Sequence, residues 1–185
     1  FLMESRERKG IGAGRRVWSA LKRARYLLGL AILFRIQLFV FGQPSTQWSD
    51  LLRVDILNAM GLAVAVFASL ALVPTAQRVR AGALLGLLVA FAAPLVSALD
   101  WSAVPSPLRA YIVPDTLFFG FFPWAAFVAF GISAGSVLRL ARREQLDRVV
   151  QWAAVLGMAL VMGGRFFADI PYSIYPKSDF WLNGP

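Results

Sequence analysis

The stretch DILNAMGLAVAVFASLALV, residues 55–73, decides the fold. After Asp55 and Asn58 at its start, it is almost entirely apolar. A run of this length matches the ~20 residues that a helix needs to cross a hydrocarbon core of about 30 Å. In lipid, the backbone hydrogen-bonding groups must be satisfied within a helix or a closed barrel. The stretch therefore predicts a transmembrane helix that begins with an anion and an amide.

Four more apolar runs of ~17–23 residues predict further spans, at 26–42, 82–99, 116–138 and 149–167. The whole chain is 58% hydrophobic and 16% charged, whereas a soluble domain is about 25% charged. We therefore predict an all-α polytopic transmembrane bundle of about five helices, with residues 1–185 forming part of a single domain. Small residues in GALLGLLVAFAAP (82–94) and GISAG (131–135) predict close helix–helix approach.

The loop charges alternate along the chain, which has a net charge of +9. Basic residues cluster in segment 1–25 and in the loops after the second and fourth spans, whereas most aspartates lie in the loops at 43–54, 100–115 and 168–185. By the positive-inside rule, the basic loops are predicted to be cytoplasmic. The basic segment favours anionic lipid headgroups as a partner, and cofactor phosphates are the alternative. No nucleic-acid-binding motif accompanies the charge, so no nucleic acid partner is expected.

The residue inventory excludes several chemistries. The chain contains no cysteine and no histidine, which excludes a disulfide framework, thiolate metal sites, a cysteine nucleophile and a histidine base within it. It also lacks a Walker loop, a dinucleotide fingerprint and metal-ligand spacing. No metal is expected.

Charged and polar residues within the spans are the candidate site residues. Arg35 lies near the middle of the first predicted span, where a charge costs at least ~2.5–3.5 kcal/mol. It is expected to line a functional cavity, or else to form a structural ion pair or snorkel. Asp55 and Asn58 share one helical face and would line a cavity mouth, although helix capping explains Asp55 equally well. Arg165 and Asp169 are four residues apart and predict either a surface ion pair or a substrate contact.

Several phrases together resemble the bacterial relatives of heparan-alpha-glucosaminide N-acetyltransferase, a family of multi-span membrane acyltransferases. They are ARYLLGLAILFRIQ, LLRVDILNAMGLA, FFGFFPWAAFVAFGISAG and IYPKSDFWLNGP, in this order. The resemblance adds Trp124, from the Pro-Trp pair, to the cavity-lining candidates and supports Asp55 and Asn58. By composition alone, the aromatic stretch around Trp124 is better explained as a packed, lipid-facing helix.

The resemblance implies transfer of an acyl group, usually acetyl, from cytoplasmic acyl-CoA (acetyl-CoA) to a glycan acceptor across the bacterial inner membrane. It also implies a catalytic histidine upstream of this chain. We therefore expect a fragment that lacks spans on both sides and is inactive alone. The alternative is a transporter for a polar solute, which would use the same polar strip. A homo-oligomeric state is left open.

Overall fold

The structure is a computed structural model that describes residues 12–42, 47–113 and 119–168. These ranges contain α-helices and short 3₁₀-helices and no strand, so the predicted all-α class is confirmed. The α-helices are α1 Ala13–Phe41, α2 Ile56–Val66, α3 Thr75–Ser97, α4 Ser106–Ile112, α5 Ala125–Leu140 and α6 Leu146–Ala168. The 3₁₀-helices are Trp48–Leu52, Phe67–Leu72 and Arg143–Gln145.

Four segments of the described chain are long and apolar enough to cross a membrane. They are Gly14–Phe41, Asp50–Leu72, Thr75–Ser97 and Arg143–Phe167, and they correspond to the predicted spans at 26–42, 55–73, 82–99 and 149–167. The predicted span at 116–138 is wrong in its start and length. Its helix, α5, has 16 residues, fewer than the ~20 that a bilayer requires. The chain around Pro123 forms turns, consistent with a ring that removes a backbone donor, and residues 116–118 lie outside the described ranges.

Helix α1 begins at Ala13 rather than at residue 26. The segment from Arg15 to Arg25 contains neither Gly nor Pro and consists largely of good helix formers. With 29 residues and a rise of about 1.5 Å per residue, α1 is about 43 Å long. Most of the predicted basic segment is therefore a continuation of the first membrane helix, and residues 1–11 lie outside the described ranges.

The helices pack as antiparallel pairs at small residues, α2 on α1 and α5 on α3. A Cβ at Gly61 of α2 would lie 2.8 Å from Leu28 Cγ of α1. A Cβ at Gly82 of α3 would lie 3.0 Å from the Ala129 carbonyl oxygen of α5 and 3.1 Å from the Ser133 backbone nitrogen. Glycine permits both approaches because it has no Cβ, and the close contact predicted from GALLG is confirmed.

The hydrophobic core lies where α2, α3, α5 and the 3₁₀-helix Phe67–Leu72 meet. Its buried members are Ala63, Phe67, Leu70, Val89, Ala125, Ala126 and Ala129. Helix α6 stands apart from this core: none of its described side chains is buried, and its main contact in the described chain is the preceding 3₁₀-helix.

The antiparallel order defines two ends of the bundle. The aspartate end is where α1 finishes, α2 starts and α3 finishes, and it carries Asp50, Asp55 and Asp100. The arginine end is where α1 and α3 start and α5 finishes, and it carries Arg16, Arg78 and Arg139. Which end faces the cytoplasm stays a prediction from the loop charges.

Arg78 is a structural residue of the arginine end. It is 2% exposed, and its Nε and Nη2 atoms donate to the Leu70 and Val73 carbonyl oxygens at 3.0 and 2.6 Å. These carbonyls lie at the C-terminal end of the 3₁₀-helix, where backbone acceptors need additional donors; the Leu70 oxygen also accepts from the Val73 backbone nitrogen at 3.2 Å. Arg78 therefore closes the turn between α2 and α3, a role that its prediction as part of a basic cytoplasmic loop did not include.

Candidate functional site

A chain of polar side chains from three helices converges at the aspartate end. It consists of Arg35 of α1, Asp55 and Asn58 at the start of α2, and Tyr111 of α4, and we refer to these four residues as the polar cluster. Sequence analysis singled out the first three, and the structure brings them together.

Asp55 links Asn58 to Arg35, because each of its two carboxylate oxygens contacts one of these side chains. Oδ1 accepts hydrogen bonds from the backbone nitrogens of Leu57 at 3.0 Å and Asn58 at 3.1 Å, which makes Asp55 the N-cap of α2. The Asn58 side-chain nitrogen donates to the same oxygen at 3.2 Å. The predicted capping role is therefore confirmed, and it coexists with the charge interaction of Oδ2.

Arg35 forms an ion pair with Asp55. Its Nε atom lies 3.3 Å from Oδ2, and both side chains are 15% exposed. Both atoms are buried and neither makes a hydrogen bond, so the pair is in Coulombic contact without being aligned as donor and acceptor. Arg35 lies six residues before the C-terminal end of α1.

Tyr111 extends the polar cluster to a third helix. Its hydroxyl donates to Asn58 Oδ1 at 3.1 Å, so the Asn58 side chain links Asp55 to α4. Desolvation of the phenol and, second, the charge of Asp55 raise the pKa of Tyr111 above its usual value near 10. The hydroxyl therefore stays protonated at neutral pH and remains a donor.

A groove with both polar and apolar lining residues lies beside the polar cluster, between the 3₁₀-helix Trp48–Leu52 and α4. It has a volume of about 480 Å³. None of the four residues of the polar cluster lines the groove, but two of its lining residues, Val54 and Ala110, directly precede Asp55 and Tyr111 in the chain. The remaining lining residues are Asp50, Leu52, Arg53, Ser106 and Pro107. A mixed lining of this kind suits a polar ligand with several hydrogen-bonding groups.

The other two candidates lie elsewhere. The ring of Trp124 contacts Phe119 and Phe127, with centroids 4.8 and 5.9 Å away, and its Nε1 is buried without a hydrogen-bond partner in the described chain. Arg165 is exposed in the last turn of α6, and Asp169, its predicted partner, lies outside the described residues. Neither is brought to the polar cluster by a contact among the described residues.

Tyr111 was not a candidate from the sequence. It lies in a seven-residue helix that was assigned to a loop, and its partner Asn58 is 53 positions away. A buried asparagine near a span start requires hydrogen-bond partners, which was the available signal that another polar residue would meet it.

The fold and this site define the class of the protein: it is a helical integral membrane protein with a polar cluster at one end of its bundle. Comparison of the chain with protein-family models, with curated proteins and with solved structures finds no match.

Proposed function

We propose that this chain forms part of a membrane acyltransferase, which transfers an acyl group from cytoplasmic acyl-CoA to a hydroxyl or amine of a glycan at the far face. The reaction comes from the resemblance of its phrases to the N-acetyltransferase family. The observation that carries the proposal is the polar cluster: charged and polar groups of three separate helices meet beside an open groove of mixed lining. Intramembrane charges with this placement are characteristic of functional sites.

The groove is the proposed acceptor site. A glycan presents many hydroxyl groups, and the groove offers a carboxylate at Asp50, a guanidinium at Arg53 and a hydroxyl at Ser106. These groups match the donors and acceptors of a sugar.

The residues of the polar cluster have distinct proposed roles. Arg35 places a positive field near the groove, where it stabilises negative charge that develops on the acyl oxygen. Asp55 is a positioning residue, since its Oδ1 already accepts three hydrogen bonds and its Oδ2 faces Arg35. Asn58 and Tyr111 hold α4, and thus one wall of the groove, in place. None of the four residues of the polar cluster is proposed as the proton acceptor for the glycan.

Acetyl transfer in proteoliposomes tests this proposal. The complete gene product is reconstituted, radiolabelled acetyl-CoA is supplied to one face and glycan acceptors to the other, and both labelled glycan and released CoA thiol are measured. We expect Asp55→Asn and Arg35→Leu to abolish transfer while leaving expression intact. The matched controls are Asp100→Asn, at an exposed carboxylate of the same end, and Gln37→Leu, at an exposed position of α1; both are expected to retain activity.

Two outcomes would reject the proposal. Full transfer by both variants would remove Arg35 and Asp55 from the mechanism. Uptake of the glycan without release of CoA thiol would instead identify a transporter. Along α2 and the following 3₁₀-helix, the buried residues beyond the polar cluster include Ala63, Phe67 and Leu70, so this part of the described core offers a polar solute no hydrogen-bonding side chains.

A further inference from the structure

Helix α1 has two opposite faces near the arginine end. Ala20, Ala24 and Ala31 are buried at 5%, 2% and 0% exposure, and their spacing places them on one face toward the bundle. The opposite face carries Arg15, Trp18, Lys22, Arg25 and Tyr26, all exposed. We refer to these five residues as the basic–aromatic stripe.

The residues of the basic–aromatic stripe are typical of a surface at the membrane–water boundary. Trp18 and Tyr26 are 59% and 66% exposed, and Trp and Tyr with exposed rings are typical of the membrane–water boundary. The Lys22 ammonium lies 5.8 Å from the centroid of the Trp18 ring, within the range of a cation–π contact. The cation therefore lies over the ring.

The character of this face changes at one level of α1. Beyond Tyr26 the same face continues as Leu33, Ile36 and Val40, all exposed. An exposed aliphatic surface belongs in the hydrocarbon region, and the basic and aromatic residues belong at the headgroups. The helix is about 43 Å long and exceeds the ~30 Å core, so its first turns extend into the headgroup layer.

We propose that the basic–aromatic stripe is a docking surface for anionic phospholipid headgroups at the arginine end of the bundle. Arg15, Lys22 and Arg25 bind the phosphates, and Trp18 and Tyr26 fix the depth of the helix. The stripe contains three cations and no acid, so the charge complement of its partner is anionic. This proposal does not depend on whether the protein is an acyltransferase.

Lipid-dependent stability of the full chain tests this assignment. The protein is purified in neutral detergent, and its thermal unfolding is followed by circular dichroism while phosphatidylglycerol or phosphatidylcholine is added. A lipid that binds the folded state raises Tm with its concentration. We expect phosphatidylglycerol to stabilise the wild type more than phosphatidylcholine does, with an effect that decreases as salt is added.

The decisive comparison is between two triple variants with the same charge change. Replacing Arg15, Lys22 and Arg25 with Gln should weaken the apparent affinity for phosphatidylglycerol by about fivefold per residue, or about a hundredfold together. The control replaces Arg142, Arg143 and Arg148 with Gln, which removes three exposed charges near the same end but off the stripe. It should bind within about twofold of wild type, given that exposed sites away from the contact contribute little.

Three results would overturn the proposal. Equal loss in both triple variants would mean that the binding reports diffuse charge and not the stripe. No loss in either variant would place the lipid elsewhere. An equal stabilisation by soluble glycerol 1-phosphate would show that the surface recognises free phosphate rather than a lipid surface. All six positions are exposed, so unchanged helicity is expected and serves as the folding check.

Discussion

The ion pair between Arg35 and Asp55 gives the most direct test of how the polar cluster stabilises the bundle. Asp55 combines two interactions, the N-cap of α2 and the charge pair, and two substitutions separate them. Asp55→Asn keeps a good capping residue and removes the charge, whereas Asp55→Ala removes both. Arg35→Leu removes the other partner, and the double variant Arg35→Leu/Asp55→Asn completes a thermodynamic cycle.

The expected magnitudes follow from burial and geometry. Breaking a buried ion pair from one side costs about 3–5 kcal/mol because the remaining charge is left without a partner. Here both side chains are 15% exposed, and the closest atoms are 3.3 Å apart without a hydrogen bond. We therefore expect about 1–3 kcal/mol for Asp55→Asn and about 1 kcal/mol more for Asp55→Ala through the lost cap.

The assay is equilibrium unfolding of the full chain in mixed micelles with an increasing SDS fraction, followed by helical circular dichroism. The cycle should give a coupling energy of about 1–2 kcal/mol between Arg35 and Asp55. A coupling energy below about 0.5 kcal/mol would show that the two charges are independently solvated. Equal stabilities of Asp55→Asn and Asp55→Ala would refute the capping role.

Three further predictions concern helix packing and side-chain hydrogen bonds. Gly82→Ala brings a Cβ 3.0 Å from a backbone oxygen of α5 and should destabilise the chain by about 1–3 kcal/mol in the same unfolding assay, whereas Gly131→Ala, which meets nothing within 4 Å, should not destabilise it. Arg78→Gln should cost about 1.5–3 kcal/mol because a charged donor to two backbone oxygens is lost, and the exposed Arg80→Gln should cost less than about 0.5 kcal/mol. Tyr111→Phe should cost about 0.5–1.5 kcal/mol at neutral pH. Because the folded-state pKa of Tyr111 is raised, its contribution is complete below its unfolded pKa near 10 and is lost as pH rises through the higher folded value. The stability difference between wild type and this variant should therefore shrink in alkaline solution.

The sequence predicted the helical class and the location of four spans because hydropathy reports lipid burial directly. It also predicted the close helix–helix approach at Gly82, because small residues repeated on one helix face are typical of helix contacts in membranes. It did not predict where helices begin within polar segments. Arg15–Arg25 continues a helix although its many charges indicate a segment outside the apolar span, and the turns around Pro123 shorten α5.

The candidate site was predictable in part. Arg35, Asp55 and Asn58 were identifiable because a charge or an amide in an apolar run requires a partner. The partners themselves depend on tertiary packing: Tyr111 reaches Asn58 from a short helix with no hydropathy signal, and Arg78 is buried although its sequence neighbours indicate an exposed loop. Trp124 and Arg165 were candidates because their side chains are aromatic and charged. Their sequence positions do not require a polar partner, and the structure places them away from the polar cluster.

The position of Asp55 has a consequence for biosynthesis. Arg35 lies about 9 Å from the end of α1, and the sequence from 36 to 49 contains no acid, so α1 is synthesised before the counter-ion of Arg35. That counter-ion is Asp55, the residue that also caps the start of the returning helix α2. The two segments are thus expected to enter the bilayer together as a helical hairpin, so that the ion pair between Arg35 and Asp55 and the contact between α1 and α2 form at the same time.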